Sequence, residues 1–191
     1  MVARMVRGSG HRVGGAGLTR PARSAPWDIV FLDRDGTINV HGPGYVSDPD
    51  DLKLLPGAAQ AVARLNESGC RVVVVTNQRG LATGALTWEQ WTSVMGRLRD
   101  LLAAEGAHVD AVEMCPHQHG ECACRKPAPG MFLHALADAP WVRPERCAMI
   151  GDMPSDVAPA HALGMTTLLL GHDAPTLADA VDALLDGSLG Q

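Results

Sequence analysis

Apolar residues follow two alternating rhythms along the chain. Short continuous runs occur at 28–33 (DIVFLD), 71–76 (RVVVVT), 109–114, 147–150 and 165–170. Runs of this length, rich in β-branched residues and without polar alternation, predict strands buried on both faces. Between them the spacing changes to three and four. Ala59, Val62 and Leu65 mark a helix over 56–68, stopped by Gly69. Thr87 and Gln90 form a capping box ahead of a stripe of Trp88, Trp91, Val94, Met95, Leu98, Leu101 and Leu102. Further helices are predicted over 130–139, over 155–163 with Ser155 as N-cap, and over 176–186, closed by Gly187. Five strands separated by helices predict an α/β fold: a doubly wound parallel sheet in a three-layer α/β/α sandwich.

Composition narrows this picture. With 191 residues, 46% of them hydrophobic, the chain can bury one sizeable core. No apolar run approaches the ~18–20 residues of a membrane span. The net charge of −5 hides an asymmetry. Residues 1–27 contain Arg4, Arg7, Arg12, Arg20 and Arg23 and no acid, leaving 11 basic against 21 acidic residues in the remainder. An acidic body argues against a nucleic-acid partner. Residues 1–26 have no periodic apolar face. They are predicted to be a disordered basic leader that does not dock on the single domain at 27–191, with an import peptide as the lesser alternative. Five cysteines without a secretory apolar segment predict a reducing cytoplasm rather than a disulfide framework. A monomer is expected.

Ligands of doubly wound sheets bind beyond the carboxyl ends of the strands. The residues expected there are Asp33, Thr76, Cys115 and Asp152. Asp33-Arg34-Asp35-Gly36-Thr37 places two carboxylates just past a buried strand, and Gly151-Asp152-Met153-Pro154-Ser155-Asp156 supplies two more. Asp156 also suits the first turn of a helix through the helix dipole. Clustered carboxylates repel unless a cation neutralises them, which predicts a hard metal such as Mg²⁺. Thr76-Asn77-Gln78 offers a hydroxyl and amides. Arg125-Lys126 offers cations suited to phosphate, in a chain whose only other lysine is Lys53.

Taken in order, FLDRDGTIN (31–39), VVVVTNQRG (72–80), CRKPAPGM (124–131) and MIGDMPSD (149–156) resemble the motifs of the haloacid dehalogenase superfamily of phosphohydrolases. The resemblance implies that Asp33 is the nucleophile and Asp35 the acid and then the base. It implies that Thr76 and Lys126 hold the phosphoryl oxygens, and that Mg²⁺ sits between Asp33, the Asp35 backbone carbonyl and Asp152. Asp35, turned from the metal, is expected to stay protonated long enough to donate.

Cys115, His117, Cys122 and Cys124 form two close ligand pairs, with His119 an alternative to His117. Three thiolates and an imidazole match a closed tetrahedral zinc site, hence a structural Zn²⁺ that fixes the loop before Arg125 and Lys126. Only 40 residues separate Asp35 from Thr76 and 49 separate Thr76 from Lys126, leaving no room for a cap domain. The chain thus resembles the zinc-bearing, capless sugar-phosphate phosphatases of the superfamily. This resemblance implies a small phosphorylated substrate lined by Arg34, His41, Gly42, Gly44, Tyr45, Asn77, Gln78, Arg79 and Arg125, with Arg125 reading a second phosphate. The expected reaction is hydrolysis of the 7-phosphate of a D-glycero-D-manno-heptose 1,7-bisphosphate. Histidinol phosphate is the alternative substrate, and an inactive zinc-clipped binding protein is the alternative of a different class. Met153 departs from the pattern, standing where these enzymes carry Lys or Arg, and the loop at 41–44 is one residue longer.

Overall fold

A computed structural model describes residues 11–12, 18–19 and 25–188. Its strands are β1 (His11–Arg12), β2 (Ile29–Leu32), β3 (Arg71–Asn77), β4 (Ala111–Cys115), β5 (Cys147–Gly151) and β6 (Thr166–Leu169). Its helices are α1 (Ala58–Glu67), α2 (Gly80–Thr83), α3 (Trp88–Ala103), α4 (Gly130–Ala137), α5 (Pro154–Ala162) and α6 (Leu177–Asp186). The spatial order is β1-β4-β3-β2-β5-β6. The five predicted strands pair in parallel, with Ile29 opposite both Arg71 and Cys147, so β2 lies at the centre. From β2 the chain winds first towards β4 and then back through β5 to β6. The direction reverses between β2 and β5, and a crevice opens there at the carboxyl edge.

Strand pleating divides the core into two layers. Val30, Leu32, Val72 and Val74 face α1, α3 and α6, where Leu65, Trp91, Leu98 and Val181 close the packing. Ile29, Phe31, Val73 and Val75 face the other way, onto Met131, Phe132 and Ala160 of α4 and α5. Phe31 and Phe132 meet edge to face at 5.2 Å. The capping boxes at Thr87–Gln90 and Thr176–Asp179 both form. No inserted domain covers the carboxyl edge among the described residues, and no described helix is long and apolar enough to cross a membrane.

Three details differ from expectation. Helix α5 begins at Pro154 and not after Ser155, because proline has no N–H to leave unsatisfied in a first turn. The Asp156 carboxylate accepts from the Met153 N–H at 3.0 Å, in place of a Ser155 cap. The short helix α2 falls in a stretch that shows no apolar period. The third difference concerns the leader. His11 and Arg12 pair antiparallel with Met114 and Glu113 on the edge of β4, so the sheet is not wholly parallel. Leu18 is only 8% exposed and joins the core layer of α4 and α5. Thr19 accepts from Arg71 through its carbonyl (2.9 Å) and its Oγ1 (2.7 Å). Docking at these positions needs only single anchors, which a search for periodic faces passes over. The rest of the expected leader, residues 1–10, 13–17, 20–24, lies outside the described residues, apart from Ala25 and Pro26.

Leu18→Ala should therefore cost about 2 kcal/mol, the low end for a buried leucine, and lower Tm by about 6 °C. An unchanged melting curve would show that Leu18 does not pack on the body.

Candidate active site

Strand β2 delivers Asp33 to the crevice, where its N–H donates to the Ile150 carbonyl of β5 at 3.0 Å. Opposite it stands Lys126, 3% exposed. The Lys126 Nζ donates to Asp33 Oδ1 (2.6 Å), the Val75 carbonyl (2.7 Å) and Asp156 Oδ1 (2.7 Å). All three ammonium donors are thereby used. Burial is the largest influence on Asp33 and, despite the opposing pull of Lys126, pushes its carboxyl up to about 7, with Asp156 adding to the rise. Burial disfavours the Lys126 charge, yet Asp33 and Asp156 outweigh it and hold the ammonium above its ordinary value.

Asp35 occupies the next turn and points to different partners. Arg34 Nη2 donates to both carboxylate oxygens at 2.7 Å, Asn39 Nδ2 donates at 2.9 Å, and Gln78 Nε2 at 2.9 Å. Burial would raise the Asp35 carboxyl, but the Arg34 guanidinium and these amides outweigh it and hold Asp35 below the usual carboxylate range. The resting group is thus the carboxylate, contrary to the expectation of a protonated side chain. The cause is the adjacent buried guanidinium. Gln78 also donates to Thr76 Oγ1 at 3.0 Å, and its N–H donates to the Cys115 carbonyl at 2.7 Å. Asn77 pairs with the backbone of Lys126 in both directions, each at 3.1 Å.

The structure brings the sequence-predicted residues together in one cavity of about 480 Å³. Asp33, Asp35, Thr76, Lys126, Asp152, His41, Gly42, Gly44, Tyr45, Asn77, Gln78, Arg79 and Arg125 all line it. Arg34 does not. It is 1% exposed and lies beneath Asp35, over the Trp91 ring. Its assignment as a substrate contact is therefore corrected: stacking on the core has taken the guanidinium out of the cavity. Met153 and Ser155 line the cavity as well. Tyr45 packs against Gly80 so closely that a Cβ there would meet its ring at 2.9 Å. Gly36, at φ +89°, allows the Asp152 carboxylate to approach where any side chain would overlap it.

The donor set fits a hard cation. Carboxylate oxygens of Asp33, Asp152 and Asp156 lie within 4.8 Å of one another. Asp152 Oδ1 is buried without a partner, and burial together with the Asp156 charge raises the Asp152 carboxyl. Both Asp156 oxygens are engaged, Oδ1 by Lys126 and Oδ2 by the Met153 N–H, whereas Lys126 takes only Oδ1 of Asp33, so Asp33 and Asp152 are the pair left to face a metal. Sequence reasoning gave Asp156 in part to the helix dipole and did not place it among the site residues. The missed signal was the buried lysine, which needs more than one anion.

A second cluster lies at the end of β4. Cys115 Sγ is 3.5 Å from Cys122 Sγ and 3.6 Å from His117 Nδ1, and Cys124 Sγ is 3.3 Å from both Cys122 Sγ and His117 Nδ1. Tetrahedral zinc with Zn–S of about 2.3 Å needs S···S edges of about 3.8 Å, so the four atoms nearly form that cage. A hydrogen bond from Cys124 is the main cause that brings the Cys115 thiol down to about 5, and the same bond pushes Cys124 up. His117 is the histidine of the cluster. His119 instead faces Arg125, its Nε2 3.5 Å from Nη2. Nε and Nη1 of Arg125 are buried with no partner, so the guanidinium that lines the cavity has donors left unused.

Comparison with known proteins agrees with this geometry. A model of haloacid dehalogenase-like hydrolases matches residues 38–164. A D-glycero-beta-D-manno-heptose-1,7-bisphosphate 7-phosphatase of Vibrio cholerae is 38% identical over 163 residues, 81% of this chain and 87% of that protein. The corresponding alpha-anomer enzyme of Mycobacterium tuberculosis is 38% identical over 134 residues, 69% of this chain and 70% of that protein. The crystal structure of a D,D-heptose 1,7-bisphosphate phosphatase from B. bronchiseptica, in complex with magnesium and phosphate, superposes with a TM-score of 0.77 at 32% identity. It covers 84% of this chain and 99% of its own. The motifs, the doubly wound sheet and the match over residues 38–164 together make this chain a member of the haloacid dehalogenase-like hydrolase family.

Proposed function

We propose that the protein is a Mg²⁺-dependent phosphatase that removes the 7-phosphate of D-glycero-D-manno-heptose 1,7-bisphosphate through a phosphorylated Asp33. One observation carries the reading. A buried Asp33 paired with Lys126 shares a single cavity with the Arg125 guanidinium, which supports a reading in which one phosphate reacts while a cation holds another. The names of the relatives support the heptose bisphosphate over histidinol phosphate, and nothing in the cavity favours the latter.

The residues divide the work as follows. An Asp33 carboxylate oxygen attacks phosphorus while the bond from phosphorus to the sugar oxygen breaks. Asp35 gives its proton to the departing alkoxide. Water then attacks the phosphorus of the aspartyl-phosphate and Asp35 takes its proton. The bond to Asp33 breaks and hydrogen phosphate leaves. Asp35 then gives that proton up to solvent, returning to its resting carboxylate, and is protonated again when the anionic substrate phosphate enters beside it. As Asp33 bonds to phosphorus, Lys126 turns the N–H it gave Asp33 to an equatorial oxygen, and Thr76 Oγ1, which accepts from Gln78, keeps its own O–H for another. Asp33 and Asp152 would hold the Mg²⁺, with the Asp35 backbone carbonyl as a further ligand. When bound, the ion would offset negative charge on the phosphoryl group. Cys115, His117, Cys122 and Cys124 would hold a structural Zn²⁺, since four protein ligands leave no open position.

The direct test is a turnover panel with Mg²⁺, comparing both heptose bisphosphate anomers with histidinol phosphate. Release of the 7-phosphate from at least one anomer, well above histidinol phosphate, is the expected result. Asp33→Asn should abolish phosphate release in a protein that melts normally, because an amide cannot act as the nucleophile. Near wild-type kcat in that variant would rule out the covalent route.

Gly80→Ala would push Tyr45 off its seat on α2. KM should rise several-fold with kcat nearly unchanged. Equal losses in both would place Tyr45 in the chemistry and not in the cavity wall.

Cys122→Ser should release zinc, read by elemental analysis, and lower kcat/KM as Arg125 and Lys126 lose their fixed loop. The Mg²⁺ dependence should shift little, because Asp33 and Asp152 stand on other strands. Full activity in zinc-free protein would defeat the structural role.

A further inference from the structure

Arg34 is the largest polar side chain in the core, and the reaction steps above leave it without a task. It is 1% exposed, and its guanidinium carbon lies 5.0 Å from the centroid of the Trp91 ring. Trp91 is itself fully buried on α3. Arg34 Nη1 is 3.8 Å from Met95 Sδ, one turn further along the same helix. The remaining donors are turned onto the neighbouring residue. Nε and Nη2 reach Asp35 Oδ1 at 3.0 and 2.7 Å, and Nη2 reaches Oδ2 at 2.7 Å.

Such an arrangement is costly. A buried guanidinium loses its hydration, and an apolar residue of similar volume would fill the space between β2 and α3 at less expense. What an apolar residue cannot supply is a planar fork. A fork that engages both oxygens fixes the plane of a carboxylate, whereas a single amide donor fixes one oxygen and leaves the plane free to turn. Asn39 donates to Oδ1 and Gln78 to Oδ2, so the amides hold the two oxygens separately, and the guanidinium joins both in one rigid plane. The fork is fixed in turn by the indole face, which prevents the guanidinium from rotating away.

We infer that Arg34 is a positioning residue for proton transfer: stacked on Trp91, it sets the plane of the Asp35 carboxyl so that one oxygen faces the leaving group. This rests on the phosphatase reading, and within it assigns α3, an element outside the cavity, a share in orienting the acid. Protons still pass only between Asp35 and the sugar oxygen or the attacking water. Arg34 exchanges nothing.

A structural role and a positioning role separate by leaving group. Hydrolysis of an alkyl phosphate needs a proton on the departing oxygen, whereas para-nitrophenolate leaves without one. The value of kcat/KM covers the steps up to that departure. For Arg34→Met, kcat/KM on the heptose bisphosphate should fall about 10²-fold, within the usual worth of a general acid. On para-nitrophenyl phosphate it should fall less than about tenfold. Arg34→Lys, which keeps charge and bulk but loses the fork, should show the same imbalance, and carries the test if Arg34→Met does not fold. Adding Arg34→Met to Asp35→Asn should cost little more on the alkyl substrate, because both changes disable one step. Equal losses on the two substrates, or full additivity in the double variant, would overturn the assignment while leaving the phosphatase reading intact. A wild-type protein that hydrolyses neither substrate would bring down both.

Discussion

The Lys126 ammonium is the interaction on which the site depends. It is buried between Asp33 at the end of β2, the Val75 carbonyl of β3 and Asp156 in the first turn of α5. Three elements far apart in sequence are thus held by one cation. Removing one partner of such a buried pair typically costs about 3–5 kcal/mol, because the charge left behind has no water to turn to. The constraint also explains the backbone around it. Asn77 clasps the Lys126 peptide from both sides, and Gly151 allows Asp156 to lie so close that a Cβ would overlap its side chain.

Charge counting then says what the site lacks. Asp33, Asp35, Asp152 and Asp156 bring four carboxylates to the carboxyl edge, while Lys126 and the Arg34 beneath Asp35 bring two cations. Arg79 and Arg125 also line the cavity, but neither is ion-paired with any of the four, so the carboxylates and their partners keep a surplus of two negative charges, the charge of a single divalent ion. The crowding of negative charge also bears on the carboxyls themselves. Asp33 and Asp152 are both raised, chiefly by burial, and for each the Asp156 charge adds to the rise. Each keeps an oxygen for a metal: among the described residues Asp152 has no ion pair, and Lys126 takes only Oδ1 of Asp33.

The sheet was legible because its strands are short, apolar and unalternated, and nothing else in the chain has that pattern. The α3 boundary was legible because a capping box is a local device, complete within four residues. Most of the cavity could be read for a similar reason: in this topology, residues following parallel strands meet at one edge. What could not be read depends on contacts far apart in the chain. Whether Arg34 faces substrate or core is decided by Trp91 on another element. Asp156 is a helix-start acid in isolation, and becomes the second anion of Lys126 only when β2 and α5 are side by side. Leu18 and Thr19 are single anchors, without a period to announce them. His117 and His119 are equivalent in spacing, and only the fold turns one towards the thiols and the other towards Arg125.

The cysteine loop is tied to the chemistry at both of its ends, which gives it a larger part than delivery of two cations. At its start, the Cys115 carbonyl accepts from the Gln78 N–H, and the Gln78 side chain holds Asp35 and Thr76. At its end, Lys126 reaches Asp33, and Gly130 at the head of α4 packs on the backbone of Ala123 and Cys124 too closely for any side chain. Asp33 is therefore braced from one end of the loop and Asp35 from the other. Arg34 and Trp91 brace Asp35 from the opposite side, through α3. The two carboxylates share a turn in the sequence, but their supports differ, and this allows one protein to keep two neighbouring acids in separate roles.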